Sequence, residues 1–186
     1  DIFEKAFNEK FIFEDRKLIL EKSGFKFLNV RNQDVPTYVE YGSADLGVVG
    51  LDVLEEKEFD LIKLLDLQIG KCKVSIGLKE QDELDWSKSE LKVATKHEKI
   101  AKKYFEQKAM AVEIIKLYGS IELAPLVGLS DCIVDIVDTG ATMKQNGLKV
   151  GETIMYSSAH LIANKNSYYL KKEAILDLKN KLGKYI

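Results

Sequence analysis

The run Cys132-Ile-Val-Asp-Ile-Val137, continued by Asp138-Thr-Gly-Ala-Thr142, constrains the fold of this chain more than any other stretch. Ile133, Val134, Ile136 and Val137 are β-branched and nearly continuous, as in a strand covered on both faces in a parallel sheet. Thr139, Gly140 and Thr142 then open a segment, Ala141 to Asn146, with the pattern of a helix. One reading makes this turn a phosphate cup, with free first-turn N–H groups, the positive dipole end and two hydroxyls facing a ligand. The other makes it an ordinary helix start capped by Asp138 or Thr139. Asp135 interrupts the apolar run, and a carboxylate there is costly to bury unpaired, so it needs a partner, a metal or an open cleft. Asp135 and Asp138 have the chemistry to accept from ribose hydroxyls or to hold hydrated magnesium.

Strand-like runs alternate with helical patterns almost throughout, which predicts an α/β protein with mostly parallel strands. Helices are predicted over residues 1–7, 15–23, 34–41, 50–56, 98–109, 120–127, 139–145 and 168–184. Strands are predicted over 25–31, 44–50, 61–67, 71–78, 91–95, 111–117 and 131–137, with one or two extended segments over 150–164. Tyr41-Gly-Ser-Ala-Asp-Leu-Gly-Val-Val-Gly50 echoes Val127-Gly-Leu-Ser-Asp-Cys-Ile-Val-Asp-Ile136, each placing a glycine and an aspartate between a helix and a strand. Two halves built alike suggest two lobes with a cleft, residues 1–69 plus 155–186 forming the first and 70–154 the second.

Lys+Arg of 28 against Asp+Glu of 30 gives a net charge of −2, which argues against a general nucleic-acid or membrane surface. Cys72 and Cys132 lie in apolar runs and read as buried free thiols, and with only His97 and His160 they make no zinc constellation. There is no signal peptide and no apolar run of about 18 residues, so a cytoplasmic location is expected. Asp1-Ile-Phe-Glu-Lys-Ala-Phe7 reads as the middle of an amphipathic helix, so further sequence is expected upstream.

Several residues have two readings each. Gly47 and Gly50 allow close approach either to a ligand or between helix and strand. Arg16 and Arg31 are the only arginines, suited to phosphate but common on surfaces, with Arg16 the better candidate. Tyr118-Gly119-Ser120 leads from a strand into a helix, where Glu122 is either a catalytic carboxylate or a dipole-complementing one. His97 reads as an exposed helix-entry residue and His160 as marking a strand edge. No Ser-His-Asp or Cys-His pairing is apparent, which favours substrate positioning and metal-stabilised charge over covalent catalysis.

Three segments in order, residues 34–50, 112–125 and 131–148, resemble the ATP phosphoribosyltransferases of the first step of histidine biosynthesis. The segments read Asp-Val-Pro-Thr-Tyr-Val-Glu-Tyr-Gly-Ser-Ala-Asp-Leu-Gly-Val-Val-Gly, Val-Glu-Ile-Ile-Lys-Leu-Tyr-Gly-Ser-Ile-Glu-Leu-Ala-Pro, and Asp131 through Leu148. The resemblance implies an α/β fold of two lobes around a central cleft, like the type II periplasmic binding proteins. It implies attack by N1 of the adenine of ATP on C1 of phosphoribosyl pyrophosphate, with magnesium present and pyrophosphate released. Asp135 to Met143 would hold the phosphoribosyl group, with Asp135 near the ribose hydroxyls and touching magnesium through the substrate. Thr139, Gly140, Ala141 and Thr142 would surround the 5-phosphate. The family's leading strand and Pro-Lys-Gly-Arg loop and its C-terminal regulatory domain do not appear in this sequence. Within the resemblance, a chain without that regulatory domain implies the short form, which works in a hetero-octamer with a regulatory subunit resembling histidyl-tRNA synthetase. The reading from another class is a two-lobed module that binds a small anion without chemistry.

Overall fold

The computed structural model describes residues 2–186; the first residue of the predicted opening helix, Asp1, lies outside them. In chain order the elements begin with α1 (Ile2–Phe7), β1 (Ile19–Lys22), β2 (Phe25–Leu28), α2 (Val35–Glu40), β3 (Leu46–Gly50), α3 (Leu51–Lys57) and β4 (Ile62–Asp66). Next come β5 (Cys72–Lys79), β6 (Leu91–Thr95), α4 (Glu98–Gln107), β7 (Val112–Lys116), α5 (Leu123–Leu126), β8 (Cys132–Val137) and α6 (Ala141–Gln145). The chain finishes with β9 (Leu148–Ser157), β10 (Ala159–Ala163), α7 (Lys165–Leu170) and α8 (Lys172–Gly183). Internal contacts divide it into two units, one made of residues up to Leu54, Glu58–Ile69 and Ser158–Ile186, the other of Glu55–Lys57 and Gly70–Ser157.

In the first unit a three-stranded sheet runs β3-β10-β4, with β10 antiparallel to both neighbours. Alternation sends Leu161 to one face, against Ile2, Ala6, Leu178 and Leu182 of α1 and α8, and Ile162 to the other, against Val39, Val53 and Leu54 of α2 and α3. His160 is therefore in the middle strand and not at an edge. Gly47 is explained by packing: a Cβ there would come within 2.7 Å of Val35 Cγ1 and 2.8 Å of Val39 Cγ2, so α2 lies directly on this point of β3.

Residues 15–23, predicted as a helix, instead lead into the β1–β2 hairpin, which turns through Ser23 and Gly24 with φ of 54° and 76°. Two successive left-handed residues are what a two-residue hairpin requires, and Ser-Gly meets that need, while Lys17 and Glu21, four apart, imitate a helix face. The long terminal helix is two helices, broken at Lys171 (φ −120°, ψ 29°), whose ammonium pairs with Asp45 at 2.7 Å.

The second unit is built on a five-stranded sheet in the order β7-β6-β8-β5-β9. Only β7, β6 and β8 are parallel; β5 runs antiparallel to both β8 and β9, so the sheet is mixed where the sequence pattern suggested parallel strands. The near-continuous apolar run of β8 is explained by cover on both sides. Cys132 and Val134 pack with Val93, Ile100 and Phe105 beneath α4, while Ile133 and Val137 pack with Ile121, Ala124 and Met143 beneath α5 and α6. Burying Ile133, Val134 and Val137 contributes on the order of 1.5–3 kcal/mol for each side chain. Cys132 is buried and Cys72 only half-buried, and neither is in a disulfide.

The echo between residues 41–50 and 127–136 is a shared local device. Gly42 and Gly128, with φ of 72° and 76°, end α2 and α5 in the left-handed region and return the chain to a strand. In each case the glycine N–H donates back to a helix carbonyl, of Val39 and of Pro125, at 3.1 Å.

Candidate active site at the ends of the parallel strands

Because β6, β7 and β8 are parallel, their C-terminal ends open on one edge of the second unit, where ligands commonly sit in open α/β sheets. Register then selects the residues. Thr95 pairs with Val134 on one side and Lys116 on the other, so the residues just past Thr95 meet those just past Val134. Thr95 is fully buried and its hydroxyl donates to the Val134 carbonyl at 2.6 Å while accepting the N–H of His97 at 2.8 Å. Those two hydrogen bonds fix the strand end on which Lys96 and His97 stand.

Asp135 shares the face of Ile133 and Val137 and is largely buried, with 15% of its side chain exposed. Its Oδ1 accepts the N–H of Ile136 at 2.8 Å, lies 3.1 Å from Lys96 Nζ and 4.0 Å from His97 Nε2. A carboxylate within an apolar strand needs a partner, and the side chains of the neighbouring strand end supply it. Across the sheet Asp135 pairs in register with Ser75 of β5, and Ser75 with Thr153 of β9, whose hydroxyls lie 3.4 Å apart. A polar row thus crosses an otherwise apolar face.

Beyond β8 the chain turns through Asp138 and Thr139, both exposed, to Gly140, which occupies the N-cap position of α6 in the left-handed region (φ 81°). Neither Asp138 nor Thr139 is the N-cap. Thr139 Oγ1 accepts the N–H of Ala141 at 3.3 Å, and a Cβ on Gly140 would meet Val150 Cγ2 at 3.2 Å. Thr142 is exposed, whereas the Met143 side chain is buried among Ile133, Val137 and Leu148, so its side chain is core and only its backbone is available to a ligand.

Gly119 and Ser120 follow β7 on the same edge, two strand spacings from β8, or roughly 10 Å. The helix predicted from Ser120 begins only at Leu123; Ser120 has φ of 50° and Glu122 is the half-buried residue at the N-cap. Lys116, at the end of β7, pairs with Glu98 at 2.5 Å, and that hydrogen bond and charge raise its pKa. Arg16, Gly47 and Gly50 belong to the first unit, with Arg16 exposed in the loop before β1. A cavity of about 920 Å³ in that unit is lined by Phe3, Phe11, Phe25 and Phe27; of its charged residues, Asp45 and Lys171 pair with each other and Lys26 lies 3.9 Å from Glu21.

Sequence reasoning missed Lys96 and His97, the latter expected at the surface but only 5% exposed. The signal that finds them is the register: in parallel neighbours, residues just past the ends become neighbours however distant in sequence.

A family model described as HisG: ATP phosphoribosyltransferase matches residues 31–184. The chain is similar to an ATP phosphoribosyltransferase of Sulfurovum sp. (strain NBC37-1), 69% identical over 182 residues that cover 98% of this chain and 88% of the relative. A second relative of that description, from Campylobacter curvus, is 65% identical over 185 residues, covering 100% of this chain and 90% of its own. Among solved structures, the ATP phosphoribosyl transferase (HisG:HisZ) complex from Thermotoga maritima superposes with a TM-score of 0.83 at 35% identity, covering 98% of this chain and 89% of that one. The substrate binding protein of an amino acid ABC transporter superposes with a TM-score of 0.59 at 13% identity over 97% of this chain and 75% of its own, a likeness of fold alone. The fold is thus the α/β, periplasmic-binding-protein-like one expected from the sequence. The chain belongs to the ATP phosphoribosyltransferase family, the pentosyltransferases of the first step of histidine biosynthesis.

Proposed function

We propose that this chain transfers the phosphoribosyl group of phosphoribosyl pyrophosphate to N1 of the adenine of ATP, and that the edge holding Asp135 and Thr139–Thr142 binds the phosphoribosyl part. The N1 lone pair forms the new bond to C1 of the ribose as the C1–O bond breaks and pyrophosphate leaves with its electrons. Such a centre is oxocarbenium-like, by analogy with glycosyl transfer. The observation that carries the reading is Asp135 itself, a mostly buried carboxylate with one oxygen held by the neighbouring strand end, beside a turn that exposes Thr139 and Thr142. Asp135 Oδ2 accepts from the ribose hydroxyls, and the 139–142 turn hydrogen-bonds the 5-phosphate through its backbone and hydroxyls. Gly119, Ser120 and Glu122 border the same edge, and Arg16 and Gly50 are the substrate-binding candidates of the first unit, Gly47 being covered by α2.

Magnesium fits this donor set as an ion carried by the substrate. Among the described residues no three His, Cys, Asp or Glu side chains group to hold a metal, and one or two carboxylates plus substrate phosphates is its usual company. Asp135 would be the residue that touches it, and the ion would neutralise the departing pyrophosphate.

The solved relative from Thermotoga maritima is a HisG:HisZ complex, which supports a separate regulatory subunit for this chain also. We extend this to a hetero-octamer with a histidyl-tRNA-synthetase-like partner and to a cytoplasmic site of action. No helix among the described residues is long and apolar enough to cross a membrane. The solute-binding alternative rests on a likeness of fold only and is not favoured. The test incubates the full chain, with and without its partner subunit, with ATP, magnesium and phosphoribosyl pyrophosphate, and follows product absorbance. Turnover is expected; none under either condition, with tight binding of another solute, overturns the reading.

A further inference from the structure

We propose that Lys96 is a positioning residue for the phosphoribosyl substrate, acting through Asp135; this rests on the function proposed above. Three contacts of Asp135 fall on one oxygen, Oδ1: the N–H of Ile136 at 2.8 Å, Lys96 Nζ at 3.1 Å and His97 Nε2 at 4.0 Å. Oδ2 takes no part in them. A carboxylate gripped by one oxygen from a backbone N–H and an ammonium has lost most of its rotation, so its second oxygen is offered in one direction before any ligand arrives.

Charge points the same way. An uncompensated carboxylate beside a phosphate-bearing ligand repels it, and an ammonium at 3.1 Å offsets that repulsion. The side chain of Lys96 is 34% exposed, so it is held at the rim where a ligand can reach it. Its backbone is held as well, because the Thr95 hydroxyl binds Val134 on one side and the N–H of His97 on the other. Lys96 therefore stands between two fixed peptide units. It is a residue that β6 aims at β8, and no motif in the sequence marks it.

The test is a double-mutant cycle in steady-state kinetics on the full chain, with the regulatory subunit added if the wild type needs it. Lys96→Met should raise KM for phosphoribosyl pyrophosphate about tenfold, the scale of one charged hydrogen bond, with KM for ATP changed less than about twofold. Lys96→Arg should restore most of the loss, and in an Asp135→Asn background Lys96→Met should add less than about twofold. Lys96→Gln replaces Lys96→Met if the latter loses its circular dichroism. An unchanged KM for phosphoribosyl pyrophosphate, equal changes for both substrates, or the full effect persisting beside Asp135→Asn overturns the proposal. If the wild type turns over and Lys96→Met is indifferent, the function stands and the role of Lys96 falls; a wild type that does not turn over brings down both.

Discussion

The Thr95 hydroxyl donates to the Val134 carbonyl at 2.6 Å, joining the end of β6 to β8 one residue before Asp135. A side chain thus continues the sheet's hydrogen bonding past its last paired residues, and the same oxygen holds the N–H of His97. Thr95→Val keeps the shape and removes both bonds. It should lower unfolding free energy by about 2 kcal/mol, two buried hydrogen bonds' worth, in urea titrations. It should also raise KM for phosphoribosyl pyrophosphate, because Lys96 and His97 lose their anchor. A variant as stable as the wild type would show that these bonds are geometrically present and energetically idle.

Gly47 separates packing from ligand binding in the first unit. Gly47→Ala drives a methyl into Val35 and Val39, and overpacking of this kind costs about 1–3 kcal/mol. Its melting temperature should fall while both KM values hold. A stable variant with impaired substrate use would instead place Gly47 at a ligand.

Asp131 makes a pH prediction. Burial acts to raise its pKa, but hydrogen bonds from Lys88 Nζ at 2.6 Å and the Lys92 N–H at 2.8 Å prevail and hold it below the ordinary 3.8. With a folded pKa below the unfolded one, its contribution is complete above about pH 4 and is lost as the pH falls through the folded value. The stability gap between wild type and Asp131→Asn should be constant between roughly pH 8 and 6 and close below about pH 4. A gap that persists well below the folded pKa would assign the loss to packing.

Burial, and then the charge of Asp131, push the Cys132 thiol up to about 12. Iodoacetamide at about pH 8 should therefore modify half-buried Cys72 and leave Cys132 untouched until urea unfolds the chain. Mass spectrometry of labelled peptides reads this directly, and early labelling of Cys132 would mean that β8 opens far more readily than its packing implies.

Much of this architecture is legible in the sequence because local chemistry and tertiary demand agree. β6 has the predicted ends at Leu91 and Thr95, and the core residues of β8 are Ile133, Val134 and Val137 as expected. Ile136 is half-buried but packs against the same core. Asp135 declares itself by the cost of a carboxylate in such a run. The hidden part depends on pairing. Strand directions are invisible in one sequence, so the antiparallel β5 and β10 read as parallel, and β1, the first strand of the hairpin, looks helical while β2 reads correctly as a strand. His97 misleads for the same reason: its burial comes with β8, a neighbour known only once the sheet order is known.

Whether Asp135 binds the phosphoribosyl group is read from kcat/KM for each substrate in Asp135→Asn. A loss of about 10- to 100-fold is expected for phosphoribosyl pyrophosphate, the worth of a charged hydrogen bond or two, with KM for ATP nearly unchanged and the fold intact by circular dichroism. A folded variant with wild-type kcat/KM for phosphoribosyl pyrophosphate would contradict it.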